Sequence, residues 1–440
     1  MLLAGAVACL LAGLRDGRAA LAEPAGDPTR GATPLLSPRR IPYVFVDAVT
    51  EARLQASLAT FAAPYTACIA VDDASGPLAR VAADQGLAPA STTKLLTAAA
   101  ALHVLGPEHT FVTRAFTDAN GTLYLAGAGD PVLTTPSYET RLRDTPRTES
   151  DPITPLSALA DSIAASGINT VNAVVGDGSR HADVAFLPEW KPSYVDDVGA
   201  LSALTVDDGF AGTTRVDDPA LLAAQQLATM LRERGITVGD ATTGTTPQGA
   251  TEVGSVTSAP LADIVAGMLT SSDNLTAELL TREIGLARGG VGTTDAGTEA
   301  IVATLAELGV PTGALDVRDG SGLAPTNRVT CDAILGALAL GNRAEFAAID
   351  RGLAVAGRTG TLVSRLRGDP LEGVLRAKTG QIEDVAGLAG IVDDAEHLRF
   401  AFVANDDFTT AGGQALQVEL ARLVAAYPDA PAASELVPAP

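Results

Sequence analysis

Lysine is scarce in this sequence. Of its 30 basic residues, only Lys94, Lys191 and Lys378 are lysines, and arginine supplies the rest of the positive charge. Arginine serves wherever a site needs only a cation, but its guanidinium stays protonated and cannot act as a base. A lysine can give up its proton when burial disfavours the charged form. The three lysines are therefore the first candidates for functional residues.

Other scarcities exclude whole classes of protein. Four scattered histidines and three cysteines give no metal-ligand spacing, so we expect no metal and no cofactor. A formal net charge of -22 and 4% aromatic residues disfavour nucleic acid as a partner. Export would permit a disulfide between Cys68 and Cys331, but two cysteines do not make a disulfide framework. We expect both to be buried small residues rather than ligands or nucleophiles.

Long apolar runs are also missing. The first 22 residues carry an apolar stretch of about fourteen, too short to span a bilayer but long enough for the core of a signal peptide. Ala20-Leu21-Ala22 offers a cleavage site. We therefore predict a signal peptide at residues 1–22, with the mature protein exported to the cell envelope or the medium and without a strong membrane anchor.

The remaining chain is too long for one ordinary domain, and 47% hydrophobic residues indicate well-formed cores. A β-hairpin and a helix come first, a stretch of short β-like runs follows, and helices, strands and a last helix close the chain. Neither end is complete alone, so the first and last thirds are predicted to form one α/β body around a mostly β inserted domain. The predicted boundaries are a linker at 23–41, the body at 42–109 and 256–428, the insertion at 110–255 and a tail at 429–440.

The first candidate motif joins Ser91 to Lys94. Three residues apart at the start of a helix, the two side chains project to the same side. A serine hydroxyl becomes a good nucleophile when a nearby base takes its proton, and the apolar LLTAAAAL surroundings favour a neutral lysine. A helix-capping serine beside a lysine that reaches to solvent is the alternative explanation for this motif alone.

The second motif is Ser272-Asp273-Asn274, a polar break between two helix-like runs. A plain interhelical turn would use serine and asparagine to satisfy free backbone groups. In a catalytic site, the same loop supplies a second hydroxyl to pass a proton and an amide to hold the substrate and the lysine.

The third motif is Lys378-Thr379-Gly380, placed immediately before the apolar strand DVAGLAGIV. A lysine and a hydroxyl at a strand edge suit a substrate carboxylate, and glycine leaves room for the substrate backbone. A surface turn is the alternative explanation of any single Lys-Thr-Gly, but two of only three lysines now fall in ordered motifs.

Together the three motifs form the signature of serine enzymes that react with penicillin. The gap of 181 residues between Ser91 and Ser272 resembles the class C low-molecular-mass penicillin-binding proteins, the D-alanyl-D-alanine carboxypeptidase/endopeptidase family. That resemblance implies an antiparallel sheet with helices on both faces. Further stretches that agree with it are LAGAGDPVL at 125–133, SSDNLTAELLTREIG at 271–285, DGSGLAPTNRVT at 319–330 and AGRTGTLVSRL at 356–366.

The resemblance also implies a role for each motif residue. Ser91 would be the nucleophile acylated by a peptidoglycan stem peptide ending in D-Ala-D-Ala, Lys94 its base and Ser272 the proton relay. β-Lactams would acylate the same serine. The residues implied to bind the substrate are Asn274, Lys378, Thr379, Gly380 and Gln381, with the backbone N–H groups of Ser91 and Gln381 as the oxyanion hole.

The sequence departs from the family at two places. Gln381 stands where the family usually has a threonine, which removes one hydroxyl for the carboxylate. The insertion is shorter than two nested domains would need, so we expect the inner one to be reduced or absent. A β-lactamase-like hydrolase and a peptidoglycan-binding protein with weak or lost catalysis stay open as alternative functions. Trp190 and Tyr194 are predicted to pack the inserted domain rather than to line the substrate groove.

Overall fold

A computed structural model describes residues 43–144, 152–182, 184–394 and 396–428. The compact unit of the chain is Ala48–Asp429. The predicted signal peptide, linker and tail lie outside the described residues. No helix within the described ranges is long and apolar enough to cross a bilayer.

The body is built on one six-stranded antiparallel sheet. Its strands come from both ends of the chain and are β1 (Thr66–Asp73), β2 (Gly76–Val81), β12 (Ala354–Val355), β13 (Leu375–Ile382), β14 (Val385–Val392) and β15 (Leu398–Asn405). Their order in the sheet is β12-β13-β14-β15-β1-β2. Because β1 pairs with β15, the first and last thirds of the chain are parts of one sheet, as predicted.

Helices cover both faces of this sheet. The first helix, α1 (Tyr43–Ala62), and the last, α12 (Thr410–Ala425), pack on one face against side chains such as Leu388 and Phe402. The alternate residues, such as Ala389 and Val403, point to the other face. Successive side chains of a strand point to opposite faces of the sheet, so a strand covered on both faces is buried at every position. The second face carries α2 (Lys94–Val104), α7 (Leu261–Ser271), α8 (Asn274–Gly289), α9 (Thr294–Glu307), α10 (Cys331–Ala339) and the short α11 (Ala347–Arg351).

The inserted domain contains a second sheet of five strands. The strands are β3 (Val112–Thr117), β4 (Thr122–Ala126), β7 (Thr170–Asp177), β10 (Thr237–Thr243) and β11 (Thr251–Thr257). Their order in the sheet is β10-β7-β4-β3-β11. β7 is parallel to both of its neighbours, β10 and β4, whereas β3 is antiparallel to both β4 and β11. Two helices, α4 (Leu156–Ala165) and α6 (Pro219–Glu233), bury their apolar sides on the sheet.

Short elements connect the inserted domain to the body. They comprise α3 (Pro136–Asp144), α5 (Val195–Val198) and two pairs of two-residue strands, β5 (Leu133–Thr134) with β6 (Thr154–Pro155) and β8 (Phe210–Ala211) with β9 (Thr214–Arg215). The segment around α5 packs Trp190 and Leu201 against Leu275 and Leu279 of α8. Trp190 thus has the packing role predicted for it, at the boundary with the body.

The expectation for Cys68 and Cys331 was right about their burial and did not include their pairing. Cys68 on β1 and Cys331 at the start of α10 form a disulfide that links positions 263 residues apart. Both side chains are fully buried, so burial was predicted correctly and bonding was not. Pairing depends on two Cα atoms coming within bonding range, here 5.8 Å, and sequence spacing does not reveal that distance.

Candidate active site

The first motif lies where a short 3-10 turn, Ala90–Thr93, leads into α2. Lys94 Nζ donates hydrogen bonds to Ser91 Oγ at 2.9 Å, to Asn274 Oδ1 at 2.7 Å and to the carbonyl oxygen of Ser321 at 2.8 Å. The Lys94 side chain is 0% exposed, so it does not reach to solvent as a surface lysine would. Ser91 is half-buried, in contrast to the fully buried Lys94.

Burial lowers the pKa of Lys94 to about 8, from an ordinary value of 10.5. The carboxyl groups of Asp319, Glu278 and Asp273 act in the opposite direction and keep it from falling further. A pKa near 8 leaves a useful fraction of neutral amine close to neutral pH. The neutral amine accepts a proton, and the hydroxyl bonded to it at 2.9 Å is the nearest proton to take.

The second motif is a sharp break between α7 and α8. Ser272 has a φ of +63°, in the left-handed region, and ends α7. Asp273 caps α8, since its carboxylate accepts from Thr276 N at 3.3 Å and Thr276 Oγ1 at 2.5 Å. Asn274 directs its carbonyl to Lys94, while its Nδ2 donates to the Asp197 carbonyl of the inserted domain at 3.1 Å.

The third motif lies on β13, and the apolar strand predicted to follow it is β14. Lys378 Nζ donates to Ser272 Oγ at 2.8 Å and to the Thr379 carbonyl at 2.9 Å. Its side chain is fully buried, and burial, followed by the nearby cations Lys94 and Arg365, lowers its pKa well below the ordinary value. Each motif lysine is thus bonded to one motif serine.

Glycine at position 380 allows the third motif to pack closely against the turn that carries Ser91. A Cβ atom there would lie 2.7 Å from the carbonyl oxygen of Pro89, closer than real contacts allow. The next residue, Gln381, turns its side chain away and donates from Nε2 to the Thr410 carbonyl of α12 at 2.8 Å. Its amide therefore supports α12 and does not replace the missing threonine hydroxyl.

One loop at the site was not identified as functional from the sequence. Asp319, fully buried, accepts hydrogen bonds from Gly322 N, Ala324 N, Asn327 Nδ2 and Trp190 Nε1, at 2.6–2.8 Å. These bonds fix the turn whose Ser321 carbonyl accepts from Lys94. The signal available in the sequence was Asp319, directly before Gly320-Ser321-Gly322. An aspartate in that position resembles an ordinary turn-forming residue.

Comparison with known proteins places this geometry in a family. The D-Ala-D-Ala carboxypeptidase 3 (S13) family matches residues 56–214 and 199–427. A D-alanyl-D-alanine carboxypeptidase of Actinomadura sp. (strain R39) is 31% identical over 432 residues, with 77% of each chain covered. The chain belongs to the S13 family. It is a serine D-Ala-D-Ala carboxypeptidase, and the family predicted from the three motifs is confirmed.

Solved structures agree in fold with this S13 protein. Penicillin binding protein 4 of Haemophilus influenzae has a TM-score of 0.68 at 20% identity, covering 83% of this chain and 98% of its own. A predatory endopeptidase of Bdellovibrio bacteriovorus, acylated by penicillin G and in complex with an immunity protein, has a TM-score of 0.50 at 19% identity, covering 81% of this chain and 90% of its own. The predicted fold class, a penicillin-binding body with an inserted domain, is confirmed.

A second buried acid completes the site of the S13 chain. Glu278 of α8 is 0% exposed, and its Oε1 accepts from Ser321 N at 2.7 Å. Burial, with the nearby Asp319, raises the pKa of Glu278 to about 8. Both sides of the Ser321 residue are therefore held, its N–H by Glu278 and its carbonyl by Lys94.

A cavity of about 360 Å³ lies beside the second motif, lined by residues 272–274, by α7 and by the inserted domain. Its walls carry charges of both signs, including Asp196, Asp197, Arg141 and Arg215. Within the described ranges, no group of three or more His, Cys, Asp or Glu side chains could hold a metal ion.

Proposed function

We propose that this carboxypeptidase cleaves the terminal D-alanine from peptidoglycan stem peptides through an acyl-enzyme on Ser91. The observation that supports the proposal most directly is the hydrogen bond from the buried Lys94 Nζ to Ser91 Oγ, 2.9 Å long. The names of the family and of the Actinomadura relative supply the substrate class.

In the first step, neutral Lys94 takes the hydroxyl proton as Ser91 Oγ attacks the carbonyl carbon of the penultimate D-alanine. The negative charge that develops on the carbonyl oxygen is stabilised by the backbone N–H groups of Ser91 and Gln381. Asn274 holds the substrate amide, and Lys378 and Thr379 receive the terminal carboxylate. Gly380 leaves room for the peptide backbone along β13.

In the second step the C–N bond breaks, and the leaving D-alanine nitrogen needs a proton. Ser272 Oγ, hydrogen-bonded to Lys378 Nζ, delivers it and is reprotonated through the lysines of the site. Water then attacks the ester on Ser91 and gives a proton to Lys94, which returns it to Ser91 Oγ as the C–O bond breaks. The products are free D-alanine and the shortened peptide.

β-Lactams would react at the same serine, because their strained amide takes the place of the scissile bond. The penicillin G-acylated endopeptidase with this fold is a precedent for that reaction. We also propose that the chain works outside the cytoplasm after removal of residues 1–22, where its substrate lies.

The experiment combines a fluorescent penicillin with a D-alanine release assay on a D-Ala-D-Ala stem peptide. We expect stable labelling and D-alanine release by the parent, and neither by Ser91→Ala. Rapid loss of label without D-alanine release would favour a β-lactamase-like hydrolase. No label and no release would favour a peptidoglycan-binding protein. D-Alanine release by Ser91→Ala at the parental rate would refute the assigned nucleophile.

A further inference from the structure

Among the described residues, the charged neighbours of Lys378 are cations. Its ammonium is bonded to a hydroxyl and a carbonyl, and the charged groups near enough to shift its pKa are Lys94 and Arg365. Within the described part of the chain, no carboxylate lies within 4.0 Å of Lys378 or of Arg365. Two neighbouring cations without an anion repel each other, so the arrangement costs stability unless a ligand brings negative charge.

Two contacts link the segment that carries Arg365 to the third motif. Thr361, four residues earlier on the same turn, accepts a hydrogen bond at 2.9 Å from the hydroxyl of Thr379. Arg365 itself donates to Gln417 Oε1 of α12 at 2.6 Å. Gln417 is 1% exposed and donates from Nε2 to the carbonyl of Gly380 at 3.0 Å. One buried side-chain amide thus connects the guanidinium to the backbone of the third motif.

Neighbouring arginines have different surroundings. Arg422 is paired with Asp369 at 2.7 Å, so the acid nearest in sequence to Arg365 is already used. Arg367, two residues on, is exposed and donates to the Val363 carbonyl. Arg365 is half-buried, and burial lowers the pKa of its guanidinium. A desolvated arginine held by one neutral amide keeps a planar set of donors for a planar anion.

We propose that Arg365 binds the terminal carboxylate of the substrate, alongside Lys378 and Thr379. The threonine hydroxyl that the family usually has at position 381 is absent, and Gln381 turns towards α12. Arg365 would provide the hydrogen-bond donor that is lost there. This inference rests on the proposed function, since the carboxylate is that of the leaving D-alanine. Thr361 acts on this site by positioning the Thr379 hydroxyl.

The test compares two substrates on the full mature chain. One is a stem peptide ending in free D-Ala-D-Ala, and the other is the same peptide with its C-terminal carboxylate amidated. Arg365→Gln should raise KM for the free acid about 10- to 100-fold, the loss expected for one charge-assisted hydrogen bond. It should leave KM for the amide unchanged, so the preference for the free acid shrinks by the same factor.

Arg367→Gln is the matched control, because it removes a nearby positive charge that does not approach the third motif, and its KM values should equal those of the parent. Arg365→Lys keeps the charge but not the planar donor set, and we expect an intermediate KM; it also serves if Arg365→Gln does not fold. An equal preference for the free acid in the parent and in both Arg365 variants would overturn the role of Arg365 and would leave the proposed function unaffected. A parent that cleaves neither peptide would overturn the proposed function.

Discussion

The base role assigned to Lys94 predicts how acylation depends on pH. Only the neutral amine can take the proton of Ser91, and the pKa of Lys94 is about 8. The rate constant for acylation of the free enzyme, measured as kcat/KM or as the second-order rate with a penicillin, should therefore rise with pH and level off above pH 8.

The size of the rise follows from the same value. With a pKa of about 8, roughly 9% of the amine is neutral at pH 7 and roughly 91% at pH 9, so the rate should increase about tenfold across that interval. An unshifted lysine, with its pKa at 10.5, would instead give a rise of nearly a hundredfold with no plateau below pH 9. The plateau thus distinguishes the buried base from an exposed one.

Stopped-flow acylation by a fluorescent penicillin, between pH 6 and 9.5, measures this profile. The titratable groups that face Lys94 are Glu278, Asp319, Asp273 and Lys378. The pH profile therefore reflects the coupled titration of these groups together with Lys94. Lys94→Arg should abolish acylation, whereas Lys191→Arg, a change at an exposed lysine paired with Glu383, should leave the profile unaltered. A rate independent of pH from 6.5 to 9 would refute Lys94 as the base.

Three further changes test the scaffold of the site. Replacing Cys68 and Cys331 by alanine should lower the free energy of unfolding by about 2–5 kcal/mol, seen in urea titrations, because a long loop is no longer closed in the unfolded chain. Asp319→Asn should cost about 2–6 kcal/mol by the same assay, since two of four buried donors lose their acceptor. Gly380→Ala should slow acylation by displacing the nucleophile's turn, whereas Gly313→Ala, which has open space around it, should not. Values equal to those of the parent in the cysteine, Asp319 or Gly380 variants would contradict the contacts described.

The sequence was sufficient to predict the family and the fold class. Each of the three motifs, Ser91-x-x-Lys94, the 272–274 break and the Lys378 motif, lies on a single short element of the chain. Each can therefore be recognised without knowing which distant segments come into contact. The sequence also predicted that the two ends of the chain form one body, because neither is complete alone, but it did not predict the pairing of β1 with β15. The roles of the individual motif residues stay predictions until the variants are measured.

What the sequence could not provide depends on contacts between distant segments. The Cys68–Cys331 bond, the hydrogen bond from Trp190 to Asp319 and the contact of Arg365 with Gln417 join residues that are 263, 129 and 52 positions apart. No periodicity or spacing rule encodes such distances. Helix α4 was missed because its ten residues lie among short β-like runs that dominate the local pattern.

The disulfide has one more consequence, for the covalent integrity of the enzyme. Cys68 precedes the inserted domain and Cys331 follows it, so the entire insertion lies within a covalently closed loop. A protease that cuts an exposed loop of the insertion would convert the chain into two fragments that remain tethered. Ser91 on one fragment and Lys378 on the other would still belong to a single molecule, and the nick would become visible only after reduction.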